Sequence, residues 1–283
     1  MTFNEGMQID TSNISAGGRG PGRGIAIGGG LGGLVIVVIA LLLGIDPSAV
    51  VPEQGQIGTG VEAPGYDLSH CKTGADANKY VECRVVATTN SVDGVWQQLL
   101  PGYTPPHTTL FHGQVQTGCG PADTSVGPFY CPVDKTAYFD TDFFQVLVDQ
   151  FGSSGGPLAQ EYVVAHEYGH HIENLLGVLG NGSQDVGAES RAVRIELMAD
   201  CLAGVWARNA ESTGFLRQLT QDDIGQALDA AAAVGDDRIQ ERVQGQVTPE
   251  TWTHGSSEQR QEWFTNGFEG GRVSDCDTLQ ADL

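Results

Sequence analysis

Apolar residues recur at steps of three and four positions over 157–176, the spacing of one face of an α-helix. The stripe consists of Leu158, Tyr162, Ala165, Gly169, Ile172 and Leu176. Pro157 suits the first helical position, and Gly177 can take the left-handed conformation that ends a helix. A second helical pattern consists of Ala192, Ile195, Ala199, Leu202, Val205 and Trp206. The two patterns predict two helices, each with one buried face.

The rest of the chain after residue 65 predicts an α+β domain. Segments 108–116 and 136–139 have the β-branched and aromatic residues typical of strands, whereas 93–100 predicts a short helix. Two further helices with capping residues are expected over 221–234 and up to about residue 268. The prediction is a small N-terminal sheet followed by a mainly helical C-terminal half.

The chain before residue 66 divides into three parts by composition. Residues 1–24 are polar and rich in glycine without apolar periodicity, which predicts a disordered tail. Residues 25–45 carry no charge and are long enough for a helix to cross the roughly 30 Å hydrocarbon layer of a membrane. Residues 46–65 combine prolines and glycines with few apolar side chains, which is typical of a flexible tether.

The charges around the apolar run predict its orientation. Arg19 and Arg23 precede the run and Asp46 follows it, so the positive-inside rule places the N-terminus in the cytoplasm. We therefore expect a single-pass membrane protein whose domain, residues 66–283, is extracytoplasmic. A cleaved signal peptide is the alternative, although the run is long and no clear cleavage site follows it.

Glycines at small-xxx-small spacing would allow a weak homodimer through the span. They are Gly28 and Gly32, and Gly29 and Gly33.

The formal net charge is −21, from 35 acidic and 14 basic side chains. Two arginines cancel two acidic residues before residue 46, so the excess belongs to the remainder of the chain. A domain this acidic is a poor candidate for binding nucleic acid or an anionic lipid surface. It could favour basic peptides, but a soluble surface is the simpler explanation of the charge.

An even number of cysteines in an oxidising compartment indicates disulfide bonds. Six cysteines allow 15 pairings, and the sequence alone does not select one of them. We expect Cys71–Cys83 and Cys119–Cys131, which close short loops, and Cys201–Cys276, which would tie the tail to the second helix. A zinc–thiolate cluster is less favoured because the chain has no Cys-x-x-Cys pair.

The first predicted helix contains His166-Glu167-Tyr168-Gly169-His170. Residues four apart lie one turn above each other on a helix, so His166 and His170 can bind one metal ion. Glu167 then lies beside the ion without binding it and can take a proton from an activated water. The alternative is a pair of histidines that make ordinary hydrogen bonds in the core.

The second predicted helix contains Glu196 and Asp200, which are also four residues apart. Packed against the first helix, Glu196 would supply a third ligand, and Asp200 would accept the free ring N–H of a ligand histidine. A solvated acidic face is the alternative, but such a face would not alternate with alanine, leucine and tryptophan. We therefore expect one Zn²⁺ ion, with His166, His170 and Glu196 as its ligands.

This combination resembles the gluzincin metallopeptidases, of which thermolysin is the familiar member, and more closely the bacterial neutral zinc metallopeptidases. The motifs behind the closer resemblance are Asp-x-x-Phe-Phe at 140–144, Ala-His-Glu-Tyr-Gly-His-His at 165–171 with Asn174, Glu-Leu-Met-Ala-Asp-Cys-Leu-Ala-Gly-Val-Trp at 196–206, and His-Gly-Ser-Ser-Glu-Gln-Arg at 254–260 with Trp263 and Phe264. The resemblance covers roughly residues 66–276, except the loops between 177 and 189. It implies a zincin-like fold and peptidase activity.

The resemblance also implies roles outside the zinc helices. Thermolysin-like enzymes use a downstream histidine to stabilise the oxyanion, and His254 is the candidate, although the sequence around it differs from theirs. A capping or packing histidine is the alternative. Gluzincins pair substrate with an edge strand beside the zinc helix, and 127–131 is the candidate strand. His70, His107 and His112 lack a partner at metal-binding spacing, so we expect them to be structural.

These features together predict a membrane-anchored, exported zinc peptidase that acts on peptide or protein substrates. Zinc-activated water would attack the peptide carbonyl, with Glu167 as general base. The alternative is an exported binding module that keeps zinc as a structural staple. Structural sites fill all four positions with protein ligands and have no use for a neighbouring base, which favours the peptidase.

Overall fold

The computed structural model describes residues 1–17, 65–179 and 185–283. The helices are α1 (Gly74–Lys79), α2 (Val81–Leu99), α3 (Phe143–Asp149), α4 (Pro157–Leu175), α5 (Arg191–Asn209), α6 (Gln221–Ala233), α7 (Asp236–Gln244) and α8 (Ser257–Gly270). The strands are β1 (Ile14–Ala16), β2 (His107–Leu110), β3 (Gln114–Thr117), β4 (Gly120–Asp123), β5 (Phe129–Cys131) and β6 (Thr136–Phe139).

The main sheet has four strands in the order β1-β2-β6-β5. β1 and β6 are parallel to β2, whereas β5 is antiparallel to β6 and forms the opposite edge from β1. β3 and β4 form a separate antiparallel hairpin. The Cys119–Cys131 disulfide connects the turn of this hairpin to β5, so the hairpin and the edge strand are held together covalently.

The C-terminal half is a helical layer in which α5 lies between α4 and α8, and α6 also packs on α4 and α8. Glycines allow the closest of these approaches. A Cβ atom on Gly267 of α8 would lie 1.9 Å from the carbonyl oxygen of Cys201 on α5. A Cβ atom on Gly204 of α5 would lie 2.1 Å from the carbonyl oxygen of Phe264. The backbones of α5 and α8 are therefore in direct contact.

Most of the predicted elements are present. α4 spans 157–175, and Gly177 has the expected left-handed conformation with a φ of 72°. The predicted strand 108–116 is interrupted by Gly113, whose φ of 73° turns the chain between β2 and β3. The predicted helix 93–100 is the end of the much longer α2. The valines and threonines of α2 favour strands locally, but packing buries most of this helix on all sides.

The three predicted disulfides are confirmed. Cys71 pairs with Cys83, Cys119 with Cys131, and Cys201 with Cys276. The last pair connects α5 to the short 3₁₀ turn Val273–Cys276 that follows α8. Since Cys201 is adjacent to Asp200, this bond fixes the C-terminal tail against the helix that carries the predicted acidic residues.

Residues 1–17 do not form the disordered tail that their composition predicts. β1 is an edge strand of the main sheet, and Phe3 is only 3% exposed within the core. The prediction fails because this segment has no periodic apolar face of its own. It is ordered by a few deeply inserted side chains and by backbone hydrogen bonds to distant parts of the chain.

The predicted fold class included a preceding transmembrane helix, and this part is corrected. Among the residues with described structure, no helix combines the length and the apolar character needed to span a bilayer. The long helix α4, for example, carries Glu161, Glu167 and Glu173. The predicted span 25–45, with its glycine pairs, lies outside the described residues, as does the predicted tether up to residue 64. The structure supports a mixed α+β domain with small sheets and mainly helical content.

The contact between α5 and α8 generates a stability prediction. Gly267→Ala should lower the free energy of unfolding by about 1–3 kcal/mol, because the added methyl group overpacks the interface. Gly225→Ala is the matched control on α6, where an added Cβ meets nothing within 4 Å. It should raise the free energy of unfolding by roughly 0.5–1 kcal/mol, because alanine favours helices. Urea unfolding measures both, and changes of the same sign would contradict the described helix contact.

Candidate metal centre

The close contact of α4 with α5 brings the predicted metal ligands together. Gly169 lies between the two histidines on α4, and a Cβ atom there would be 2.9 Å from both the Cα and the carbonyl oxygen of Ala199. A larger residue at this position would push the helices apart. Glycine therefore allows Glu196, one turn before Asp200 on α5, to reach the imidazoles of α4.

The donor atoms converge on one point. The Nε2 atom of His166 lies 3.2 Å from Oε2 of Glu196, and Nε2 of His170 lies 3.6 Å from Oε1 of Glu196. One ligand atom from each of the three residues falls within 4.8 Å of the others. Tetrahedral zinc with bonds of about 2.0–2.2 Å would separate its ligand atoms by about 3.3–3.6 Å. Two nitrogens and one carboxylate at this spacing fit zinc.

Each histidine has its second nitrogen bound to a buried carboxylate. Nδ1 of His166 donates to Oδ1 of Asp200 at 2.8 Å. Nδ1 of His170 donates to Oε2 of Glu173 at 2.8 Å. These bonds fix the tautomers so that both Nε2 atoms face Glu196. Glu173 was not predicted, although its position three residues after His170 on the same helix was a usable signal.

Asp200 is held in turn by a buried arginine from α8. Nε of Arg260 donates to Oδ2 of Asp200 at 2.7 Å, and Nη2 donates to Oδ1 at 3.0 Å. The hydroxyl of Tyr162 also donates to Asp200. Burial disfavours the Asp200 carboxylate, but Arg260 and His166 outweigh it and lower the pKa of this group. The lowered pKa favours the ionised carboxylate of Asp200, which accepts the hydrogen bond from the imidazole N–H of His166.

The charges of the cluster set the protonation of the histidines before a metal binds. Burial disfavours the imidazolium form of His166, but Asp200 and Glu196 outweigh it and raise its pKa to about 10. Burial likewise opposes the charge on His170, yet Glu173 and Glu196 raise its pKa to about 9. Despite its burial, Glu196 has a lowered pKa because the histidines stabilise its carboxylate.

Glu167 directly follows His166 on α4 and is not one of the three residues whose donor atoms converge. Its side chain is buried, and the residue is 7% exposed. Burial raises the pKa of its carboxyl group, and the charges of His166 and His170 offset only part of that effect. A carboxylate with a raised pKa accepts a proton readily, as a general base must.

His254 precedes α8 and is held by Asp236, a residue that the sequence did not indicate. Oδ2 of Asp236 accepts the backbone N–H groups of three successive residues, and Oδ1 lies 3.2 Å from Nδ1 of His254. Burial opposes the charge on His254, but Asp236 outweighs it and raises its pKa. The charge of His254 also contributes to the lowered pKa of Glu196.

The edge strand β5 is connected to the helix of the two histidines. The hydroxyl of Tyr130 lies 2.9 Å from Nδ1 of His171, and Asn174 donates its side-chain amide to the same hydroxyl at 3.0 Å. Nε2 of His171 donates to the carbonyl oxygen of Thr104 at 2.7 Å, so Nδ1 accepts from Tyr130. Tyr130 thus holds β5 at a fixed distance from α4.

The remaining histidines lie elsewhere. His107 contacts Ser15 and Asn13 near β1. His70 lies near Cys71 and Cys83, whose sulfurs are joined in a disulfide. Contrary to the sequence reasoning, His112 does have partners at metal-binding spacing. Its Nδ1 atom lies 3.8 Å from a carboxylate oxygen of Asp140 and of Asp142. Because Nδ1 also contacts the hydroxyl of Tyr66 at 3.2 Å, a structural role accounts for it.

Comparison with known proteins agrees with this geometry. The sequence model of a family described as "Putative neutral zinc metallopeptidase" matches residues 4–279. The protein Rv2575 of Mycobacterium tuberculosis, described as uncharacterized, is 65% identical over 289 residues, covering 99% of both chains. The protein YpfJ of Escherichia coli K12, also described as uncharacterized, is 34% identical over 282 residues, covering 95% of this chain and 94% of its own. No solved structure matches this chain.

The raised pKa values predict proton release on zinc binding. At pH 7 both histidines of the metal-free protein should be protonated, because their pKa values lie at about 10 and about 9. Zinc needs neutral imidazoles, so its binding should release about two protons, and its apparent affinity should rise with pH up to about 10, the higher of the two pKa values. Calorimetry in buffers of different ionisation enthalpy measures this release. His112→Ala should behave like the parent, and the absence of proton release in the parent would contradict the assignment.

Proposed function

The chain belongs to the neutral zinc metallopeptidase family, and we propose that it hydrolyses peptide bonds at the centre formed by His166, His170 and Glu196. One observation carries the proposal. Three zinc-compatible donors converge beside the buried carboxylate of Glu167, which stays outside the donor set. A structural zinc site has no use for such a carboxylate, whereas hydrolysis requires a base at this position.

The three ligand side chains would hold one zinc ion, which would supply Lewis acidity toward water and toward a peptide carbonyl. Glu167 accepts the proton of the attacking water as the oxygen–carbon bond forms. It then delivers this proton to the nitrogen of the leaving amine as the carbon–nitrogen bond breaks. Every atom is accounted for without a covalent intermediate on the enzyme.

His254 is the proposed donor to the carbonyl oxygen as negative charge develops on it. Asp236 occupies its Nδ1 side at 3.2 Å, which leaves Nε2 available to substrate. The raised pKa of His254, caused mainly by Asp236, favours the protonated imidazole as the donor. Because Asp236 also binds the backbone on both sides of His254, the donor is oriented before substrate arrives.

Substrate would bind along the edge strand β5. This strand ends the main sheet, and its antiparallel neighbour is β6. An extended peptide can add to such an edge through main-chain hydrogen bonds. Tyr130 and the Cys119–Cys131 disulfide fix β5 from two directions, so the strand is a rigid template beside α4. A peptide or protein is therefore the proposed partner.

The disulfides support a location for this activity. Three pairs are formed within the described part of the chain. Disulfides persist in oxidising environments and are rare in a reducing cytosol. We therefore place the folded domain in an oxidising compartment.

Glu167→Gln tests the mechanism. The variant should keep stoichiometric zinc, since Glu167 is not a ligand, but hydrolysis should fall by about 10²–10⁴-fold because the general base is lost. His170→Ala should instead lose the metal. The assays are zinc content by elemental analysis and chelator-sensitive cleavage of an unfolded casein-type substrate. Cleavage by Glu167→Gln at the parent rate would exclude this role, and zinc without cleavage in the parent would favour a binding module.

Tyr130→Phe tests the role of the edge strand. Loss of the hydroxyl removes the hydrogen bonds from β5 to His171 and Asn174 of α4, so KM for a peptide should rise by roughly five-fold while zinc content stays unchanged. Tyr138→Phe is the matched control, because its hydroxyl on β6 donates to Asp134 instead of α4. Steady-state kinetics with one peptide measure both variants. Equal KM values for the two would show that β5 does not position substrate.

A further inference from the structure

The first residues of the chain occupy a surface that is shaped for them. The backbone N–H of Phe3 donates to the side chain of Asn78 at 3.2 Å, and the amide of Asn78 donates back to the carbonyl oxygen of Phe3 at 2.9 Å. The N–H of Asn4 donates to the carbonyl oxygen of Phe215. A Cβ atom on Gly74 would lie 2.0 Å from the carbonyl oxygen of Asn4. The domain therefore accommodates this backbone specifically.

The contacts continue along the segment. Asp10 and Asn90 exchange two hydrogen bonds, of 2.8 and 3.0 Å, between backbone and side chain. The N–H of Ile9 donates to the carbonyl oxygen of Lys72 at 2.9 Å. β1 then pairs with β2 in the main sheet. Residues 1–17 thus bind along their length, through backbone and side-chain contacts that do not depend on a covalent connection.

The segment also reaches the helix of the metal ligands. Thr2 is fully buried, and its hydroxyl donates to the carboxyl group of Glu161 on α4, five residues before His166. Glu161 is itself fully buried, and within the described structure its Oε2 atom has no hydrogen-bond partner. Thr2 therefore both covers and partly satisfies a polar group whose burial is costly.

The two ends of the connecting residues 18–64 lie side by side. A Cβ atom on Gly65 would be 2.3 Å from the carbonyl oxygen of Ala16 and 3.1 Å from Cα of Gly17. The chain therefore leaves the domain and returns to it at one point of the surface.

From these contacts we infer that residues 1–17 are a docking segment for the surface formed by α1, α2, β2 and the loop before α6. The segment remains bound to residues 65–283 when the connection between them is cut. The N-terminus and the peptidase domain therefore lie on the same side of any membrane. This arrangement replaces the orientation expected from the sequence, with the two ends on opposite sides.

Cutting the connection tests the retention of the segment. A specific protease site placed between residues 19 and 24 of the full chain separates residues 1–17 from the apolar run at 25–45. After cleavage, the short fragment should co-elute with the domain in size-exclusion chromatography and should leave it only when the domain unfolds in urea. Elution of the fragment as a free peptide under native conditions would overturn the inference.

Competition with a labelled peptide of residues 1–17 measures the contribution of single side chains to the cut complex. Phe3→Ala should weaken retention by roughly 100-fold or more, because it empties a buried pocket. Glu5→Ala is the matched control, since Glu5 is exposed and should retain the parent affinity. Asn78→Ala removes both bonds to Phe3 from the domain side and should also weaken retention. Equal affinity of all variants would contradict the described docking.

Cysteine labelling in whole cells tests the shared side. The native cysteines of the described residues are all in disulfides, so Glu5→Cys and Glu269→Cys each introduce one reactive thiol on an exposed position. A membrane-impermeant maleimide should label both variants in intact cells, or both only after lysis. Labelling of position 269 with protection of position 5, or the reverse, would overturn the inference whether or not the protein is a peptidase.

Discussion

The contact between α4 and α5 is the constraint on which the rest of the structure depends. Gly169 allows the two backbones to touch at Ala199, and this approach places Glu196 within reach of the imidazoles of α4. α8 makes a second close approach to α5 at Gly267. This approach brings Arg260 into hydrogen-bond contact with Asp200. Asp200 in turn contacts Nδ1 of His166, the ring nitrogen that does not face Glu196. Two glycine-mediated contacts thus build the centre from three helices.

A buried cluster with this many charges persists only because its members are paired. The carboxylate of Asp200 accepts hydrogen bonds from Arg260, Tyr162 and His166, and these donors stabilise its negative charge. Oε2 of Glu173 accepts a hydrogen bond from His170, whereas in the described structure its Oε1 atom has no hydrogen-bond partner. Protons on the histidines balance the carboxylates, and a zinc ion at the proposed site would replace these protons as the compensating charge.

The small sheet is attached to other elements at both of its edges. β5 at one edge is fixed to α4 through Tyr130 and to the hairpin through Cys119–Cys131. At the other edge, β1 completes the sheet from the N-terminus and leads back to α4 through Thr2. Both edges of the sheet are therefore connected to the helix of the histidines. A short sheet with few strands gains rigidity from these attachments.

The sequence by itself determined what depends on local spacing. Residues four apart on a helix share a face whatever surrounds them, so His166 with His170, and Glu196 with Asp200, could be paired in advance. Glycine and capping residues marked the ends of α4, α6 and α8 for the same local reason. The sequence did not determine the cysteine pairing, but the short loops favoured Cys71–Cys83 and Cys119–Cys131, and both disulfides are present.

Only the tertiary structure decided contacts between residues that are distant along the chain. Arg260 donates a hydrogen bond to Asp200, 60 positions away in the sequence, and Thr2 donates one to Glu161, 159 positions away. No periodic pattern in the sequence predicts either contact. Asp236 binds the loop of His254 by the same kind of non-local contact. Residues 1–17 have the composition of a disordered tail, yet they are ordered. Their order comes from contacts with the rest of the domain, which composition does not reveal. Composition and periodicity describe a segment alone, whereas burial depends on its neighbours in space.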